Sequence, residues 1–197
     1  MKLIEFFHAS VAALGLLSPA AARAYSRSDG FVIRRNELTK APGSRLIPVV
    51  VGGPQDLFVP NLVYAKVGDV VQFQFSSGNH TVTQSNETSA CQPMQTSDPK
   101  AIHSGHIPFE PGQKNVGTFT MVVQSTKPML IYCATGPHCQ LGQVMAINPD
   151  DDTQLPKYAK ASQSTKASVD AKHVVGGIVG TMRLEDALFV PPPPEEE

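Results

Sequence analysis

What most constrains this chain is a series of short β-forming runs between residues 47 and 148. Ile47 to Val51, Val59 to Lys66, Val70 to Phe75, His80 to Gln84, Gly117 to Gln124, Met129 to Tyr132 and Gln143 to Asn148 are rich in Val, Ile, Phe and Thr. Gly52-Gly53, Gly68-Asp69, Ser77-Gly78-Asn79 and Pro111-Gly112 punctuate them. Many short strands separated by turn residues predict an all-β sandwich. Val71, Phe73 and Phe75 alternate with Gln72, Gln74 and Ser76, the pattern of a strand with one buried face. No internal repeat is visible.

The flanks read differently. Lys2, the apolar run Val11 to Leu17, the breaker Pro19 and the small-x-small sequence Ala22-Arg23-Ala24 predict a signal peptide over 1–24, with the mature chain starting at Tyr25. Residues 25–45 form a polar segment carrying Arg27, Arg34, Arg35, Lys40 and Arg45, and 46–149 hold the β domain. After Pro149 come three Asp residues and a stretch of Lys, Ser, Ala and Gln, ending in Pro191 to Pro194 and three Glu. Residues 150–197 are therefore expected to be a largely disordered tail, with too little apolar surface to offset the entropy of ordering. His173 to Met182 is its one apolar stretch. Once the leader is cleaved, no run approaches the ~20 apolar residues of a membrane span. The formal net charge is −1, with no basic run, which argues against nucleic-acid binding. Asn86-Glu87-Thr88 is a glycosylation sequon suited to a secreted chain. Asn79-His80-Thr81 is another, but a sugar there would crowd His80.

Three cysteines, Cys91, Cys133 and Cys139, leave one thiol unpaired in any monomer with one disulfide. Pairing Cys133 with Cys139 would leave Cys91; pairing Cys91 with Cys139 would leave Cys133 at the end of the run Met129 to Tyr132. Cys133 lies five residues before His138, which lies five before Gln143. A soft thiolate, an imidazole and an amide oxygen thus share one short loop. His80, from a distant strand, would complete a His2Cys set with a weak axial oxygen, the ligands that select copper and give it blue, electron-transfer character. Met145 is the competing axial sulfur. It shares a face with Gln143 but lies one step further along, so Gln143 is preferred. His103 and His106 fall in a Gly/Pro-rich stretch and read as solvated loop residues, not a second metal site. His8 leaves with the leader, and His173 belongs to the tail.

Tyr132-Cys-Ala-Thr-Gly-Pro-His-Cys-Gln-Leu-Gly-Gln143 resembles the copper loop of phytocyanins and of the plastocyanin-like domain of fungal extracellular, often serine-rich, proteins. Ala65 to Phe75, followed by Gly78-Asn-His80-Thr-Val82, resembles the strand and first ligand of the same domain, and Cys91-Gln-Pro93 resembles one half of its disulfide. The resemblance covers about residues 46–149. It implies a cupredoxin-like Greek-key sandwich, a type 1 copper ion on His80, Cys133, His138 and Gln143, and a Cys91–Cys139 bridge anchoring the ligand loop. Gln143 where many relatives have Met implies a lower reduction potential, because an amide oxygen favours Cu(II) more than a thioether does. Phe109 and Pro111 lie in the stretch that varies among relatives.

The expected role is one-electron transfer outside the cell, by a monomer whose redox partner the sequence does not name, with His138 as the electron entry point between Pro137 and Leu141. The alternative is a structural or adhesive wall protein in which copper is stored, sensed or incidental. A multicopper oxidase needs several His-x-His pairs, and a histidine-brace oxygenase needs an N-terminal His where Tyr25 stands. Neither pattern is present, so no enzyme activity is expected.

Overall fold

The computed structural model describes residues 43–190; the expected leader 1–24, the segment up to residue 42 and the last residues 191–197 lie outside them. The described strands are β1 (Leu46–Gly52), β2 (Leu57–Val59), β3 (Leu62–Val63), β4 (Val70–Phe75), β5 (Gly78–His80), β6 (Thr83–Ser85), β7 (Ile107–Phe109), β8 (Asn115–Val122), β9 (Met129–Tyr132), β10 (Val144–Ile147) and β11 (Ile178–Arg183), with one α-helix, α1 (Gln154–Gln163), and short 3-10 turns at Met94–Thr96 and Leu184–Asp186. They form a five-stranded sheet in the order β11-β8-β4-β1-β2, a four-stranded sheet in the order β3-β10-β9-β6, and a small β5-β7 ribbon. Both larger sheets are mixed: β1 runs parallel to β4, and β3 parallel to β10. This is the expected β-sandwich, with the chain crossing repeatedly from one sheet to the other.

Alternation in β4 places Val71, Phe73 and Phe75 in the interface between the sheets, where all three are fully buried. They meet Val49 and Val51 of β1, Phe119 and Met121 of β8, and Ile131, Met145 and Ile147 of the facing sheet. The opposite faces of β9 and β10 are apolar too. Leu130, Tyr132, Val144 and Ala146 point away from that core and form a second cluster with the Cys91–Cys139 region and Tyr158 of α1. A sheet buried on both faces reads as continuous apolar sequence; Met129 to Tyr132 and Val144 to Ile147 are such runs.

That second face corrects the expectation of a largely disordered tail over 150–197. Residues 154–163 form α1, whose Leu155, Tyr158, Ala159 and Ser162 recur at helical spacing and lie against the four-stranded sheet. Pro156 sits in the first turn, where its missing N–H costs little. The Tyr158 hydroxyl shares a hydrogen bond with Ser85 of β6. Further on, 178–183 extend the first sheet as β11, antiparallel to β8. The Leu188 amide donates to Gln74 Oε1 (2.9 Å), which explains why Gln74, on the predicted solvent face of β4, is buried. The apolar stretch His173 to Met182 thus ends in an edge strand. The region around Phe109, read as variable, supplies β7, which pairs with β5 and so braces His80.

If the helix is part of the domain, Tyr158→Ala should cost about 3–5 kcal/mol, as truncating a buried aromatic side chain does. Denaturant unfolding of the purified chain measures this. A loss below about 1 kcal/mol would mean that the segment does not pack on the sheet.

Candidate metal centre

Four side chains converge at one end of the sandwich. His80 ends β5, Cys133 follows β9, and His138 and Gln143 belong to the loop joining β9 to β10. The loop is a chain of tight turns: the His138 amide donates to Thr135 O (3.1 Å) and the Gln143 amide to His138 O (2.9 Å). The Cys133 amide donates to Gln143 O (3.1 Å), closing the base of the loop. These bonds bring three residues spread over eleven sequence positions onto one focus.

At that focus, Cys133 Sγ lies 3.7 Å from His80 Nδ1 and 3.5 Å from His138 Nδ1. Gln143 Oε1 lies 3.0 Å from His80 Nδ1, and Gln143 Nε2 turns away toward the Leu57 carbonyl (3.5 Å). The ligand atoms of His80, Cys133 and His138 all lie within 4.8 Å of one another. Sulfur and imidazole bound to one first-row ion at about 2.3 and 2.1 Å stand roughly 3.6–3.8 Å apart. The observed spacing therefore fits a single shared ion, and the mix of one thiol, two imidazoles and an amide oxygen fits copper. Met145, the competing sulfur, packs in the core between the sheets.

His80, Cys133 and Gln143 are fully buried, whereas the His138 side chain is 18 % exposed. Pro137 is exposed beside it, and Leu141 is among the most exposed apolar residues. Burial pushes the Cys133 thiol up, opposed by hydrogen bonds from Thr81 and Thr135. Burial likewise pushes His80 down, reinforced by the neighbouring His138 and opposed by Asp56. Gly52 is required by close approach: its φ is +101°, and a Cβ there would come within 2.7 Å of His80 Nε2.

Cys91 and Cys139 form a disulfide, which fastens the residue after His138 to the segment following β6. Such a bridge is worth about 2–4 kcal/mol through the unfolded chain. Cys133 is the free cysteine. Its Sγ accepts the Thr81 N–H (3.3 Å), and Thr81 Oγ1 accepts the Ala134 N–H (2.8 Å), so one threonine holds both the sulfur and the next peptide.

Sequence reasoning missed the surroundings of this network. Thr81 Oγ1 shares a hydrogen bond with Thr83 Oγ1, which bonds His103 Nδ1 (2.9 Å). His103 is buried, not solvated, and its Nε2 faces Asp170 at 3.4 Å. His106 is partly exposed; it bonds Asp170 (2.7 Å) through Nε2 and Thr135 of the ligand loop (3.2 Å) through Nδ1. The two histidines thus clamp residue 170 of the C-terminal segment onto the domain. The His103-Ser-Gly-His106 spacing was visible; the partner 64 residues after His106 was not. His173 is exposed, and its backbone is bonded by Gln95. Asn86 is exposed on the turn after β6, so the surface permits a glycan there.

No family model matches the chain. It is 33 % identical over 144 residues to the "Extracellular serine-rich protein" of Arthroderma benhamiae, covering 73 % of this chain and 55 % of that protein. It is 30 % identical over 108 residues to the "Probable GPI-anchored cupredoxin-1" of the same fungus, covering 54 % and 52 % respectively. The chain therefore spans about half the length of the curated relatives it matches. Similar solved structures include a purple cupredoxin from Nitrosopumilus maritimus (14 % identity, TM-score 0.35, 51 % of this chain and 96 % of that one). Another is auracyanin from Roseiflexus castenholzii (13 % identity, TM-score 0.37, 53 % and 95 %). Among the described residues, no helix is long and apolar enough to cross a membrane.

A histidine whose folded pKa lies below its unfolded value stabilises the fold above the unfolded value and loses that contribution as pH falls through it. His80 and His103 are both lowered from 6.5 by burial. Asp69, held down to about 2 by the Lys66 and Arg45 amides and the Arg45 guanidinium, acts only below its ordinary 3.8. Metal-free protein should accordingly melt at a lower temperature at pH 5 than at pH 7.5. A flat profile across that window would contradict neutral burial of the two rings.

Proposed function

We propose, from the premise that this chain is a cupredoxin-like domain with fungal extracellular relatives, that it is a secreted protein carrying one electron at a time on a single type 1 copper site. The observation that carries this reading is the convergence of His80 Nδ1, His138 Nδ1, Cys133 Sγ and Gln143 Oε1 in a buried pocket. His80, Cys133 and His138 would hold the ion with Gln143 as the axial oxygen, and copper there would supply a one-electron couple.

The residues themselves set the conditions. Metal binding requires the Cys133 proton to leave, because the thiolate is the ligand. The Thr81 N–H on Sγ favours that thiolate against the burial opposing it. His80 is already driven toward its neutral, ligating form. The disulfide, the loop turns and the Thr81 bonds hold the donors near their binding positions, so little ordering remains to be done. Complete burial of Cys133, His80 and Gln143 keeps water from the site. Only His138 reaches the surface, flanked by Pro137 and Leu141, which makes its edge the natural path for an electron from an external partner. The absence of an acid–base pair on the loop favours electron transfer over substrate turnover.

The tail and the sequons suit the alternative of a structural or adhesive wall protein; with residues 154–186 contributing a helix, a strand and a 3-10 turn, the sequons alone still favour it.

Adding Cu(II) to the purified chain should produce an intense visible thiolate-to-copper band. Cys133→Ser should abolish the band and weaken copper binding beyond the roughly 10–100-fold that loss of an outer-sphere partner costs, while circular dichroism shows the sandwich intact. A blue Cys133→Ser protein would sink the ligand assignment. Gln143→Met should raise the reduction potential in voltammetry; an unchanged potential would remove Gln143 from the axial position.

A further inference from the structure

The Asp56 carboxylate spans the outer edges of both site imidazoles, with Oδ1 3.5 Å from His80 Nε2 and Oδ2 3.8 Å from His138 Nε2. We propose that Asp56 is a positioning residue of the metal centre, whose charge stabilises its oxidised state and whose two oxygens keep both rings turned with Nδ1 inward. The inference rests on the copper reading above and goes beyond it, since Asp56 is no ligand.

The backbone around Asp56 is built to place it there. Residues 53–56 make the turn between β1 and β2, closed by the Asp56 N–H donating to Gly53 O (3.1 Å). The Gly53 amide donates to Ser77 Oγ (2.9 Å), fastening the turn to the segment that enters β5 and His80. Asp56 itself has φ +50°, a left-handed conformation that Asp and Asn adopt more readily than other side chains. Bare Gly52 lets this turn lie directly on the His80 ring.

His80 supplies a second, independent observation. Its Nε2 is buried and makes no well-formed hydrogen bond. The Asp56 carboxylate faces it, with Oδ1 3.5 Å away. When Nδ1 is committed to a metal, Nε2 must carry the proton. A carboxylate facing that N–H fixes the tautomer and ring orientation, as outer-sphere acceptors do for metal-bound histidines generally. The same carboxylate faces His138 Nε2, so one group serves both rings.

The charge has a further consequence. Reduction adds one electron, taken from an external one-electron donor, and lowers the net charge of the metal–thiolate–imidazole unit by one. A fixed anion beside the two rings favours the more positive, oxidised state. The Asp56 side chain is 43 % exposed, so solvent screens it from outside, while the side facing the rings is protein.

Asp56→Asn tests this with the full chain loaded with Cu(II), because Asn keeps the size and tolerates the same backbone conformation. With the visible band present in both proteins, mediated redox titration should show a higher potential in the variant. The ratio of Cu(II) to Cu(I) affinity should fall on the order of tenfold, as expected for one charge at this range under a dielectric between protein surface and water. Asp56→Glu should restore part of the shift. An unchanged potential in Asp56→Asn, with its band intact, would overturn the role of Asp56 and leave the copper reading standing. A wild-type chain without the band would overturn both.

Discussion

Everything at this end of the molecule depends on keeping three polar side chains, His80, Cys133 and Gln143, wholly out of water. Buried polar groups are costly unless partnered, and here the partners are chiefly one another. Nδ1 of His80 faces both Oε1 of Gln143 and Sγ of Cys133, and Sγ in turn receives the Thr81 amide. The scaffold answers that requirement with redundancy. A disulfide holds the residue after His138, the base of the loop is closed by backbone bonds, and the β5-β7 ribbon braces His80. A set of donors this confined resists rearrangement between oxidation states, which is what an electron carrier needs of its site.

The C-terminal segment belongs to this arrangement. Helix α1 covers the outer face of the four-stranded sheet, while Gln140 on the ligand loop bonds Thr165 and Ser168. Asp170 engages His103, which reaches the Ala134 amide next to Cys133 through Thr83 and Thr81, and His106, which bonds the Thr135 hydroxyl of the ligand loop. The domain is therefore longer than the stretch that resembles known copper loops.

Much of this was legible in residue pattern. The alternation of Val71, Phe73 and Phe75, the apolar run ending at Cys133 and the spacing of Cys133, His138 and Gln143 each led to the observed element or placement. The tail was misread because its polar composition outweighed two local signals. Leu155, Tyr158, Ala159 and Ser162 recur at helical spacing, and the unbroken apolar runs in β9 and β10 required cover on both faces. Asp56 and Asp170 had no signal at all. A lone aspartate in a turn or tail gains meaning only when folding carries it to a pair of histidines far away in sequence.

The most direct test of the central claim is X-ray absorption spectroscopy at the copper edge on the chain loaded with one equivalent of the metal. The structure predicts a first shell of one sulfur and two imidazole nitrogens. A shell of nitrogen and oxygen alone, with Cys133 still reactive as a free thiol, would contradict it.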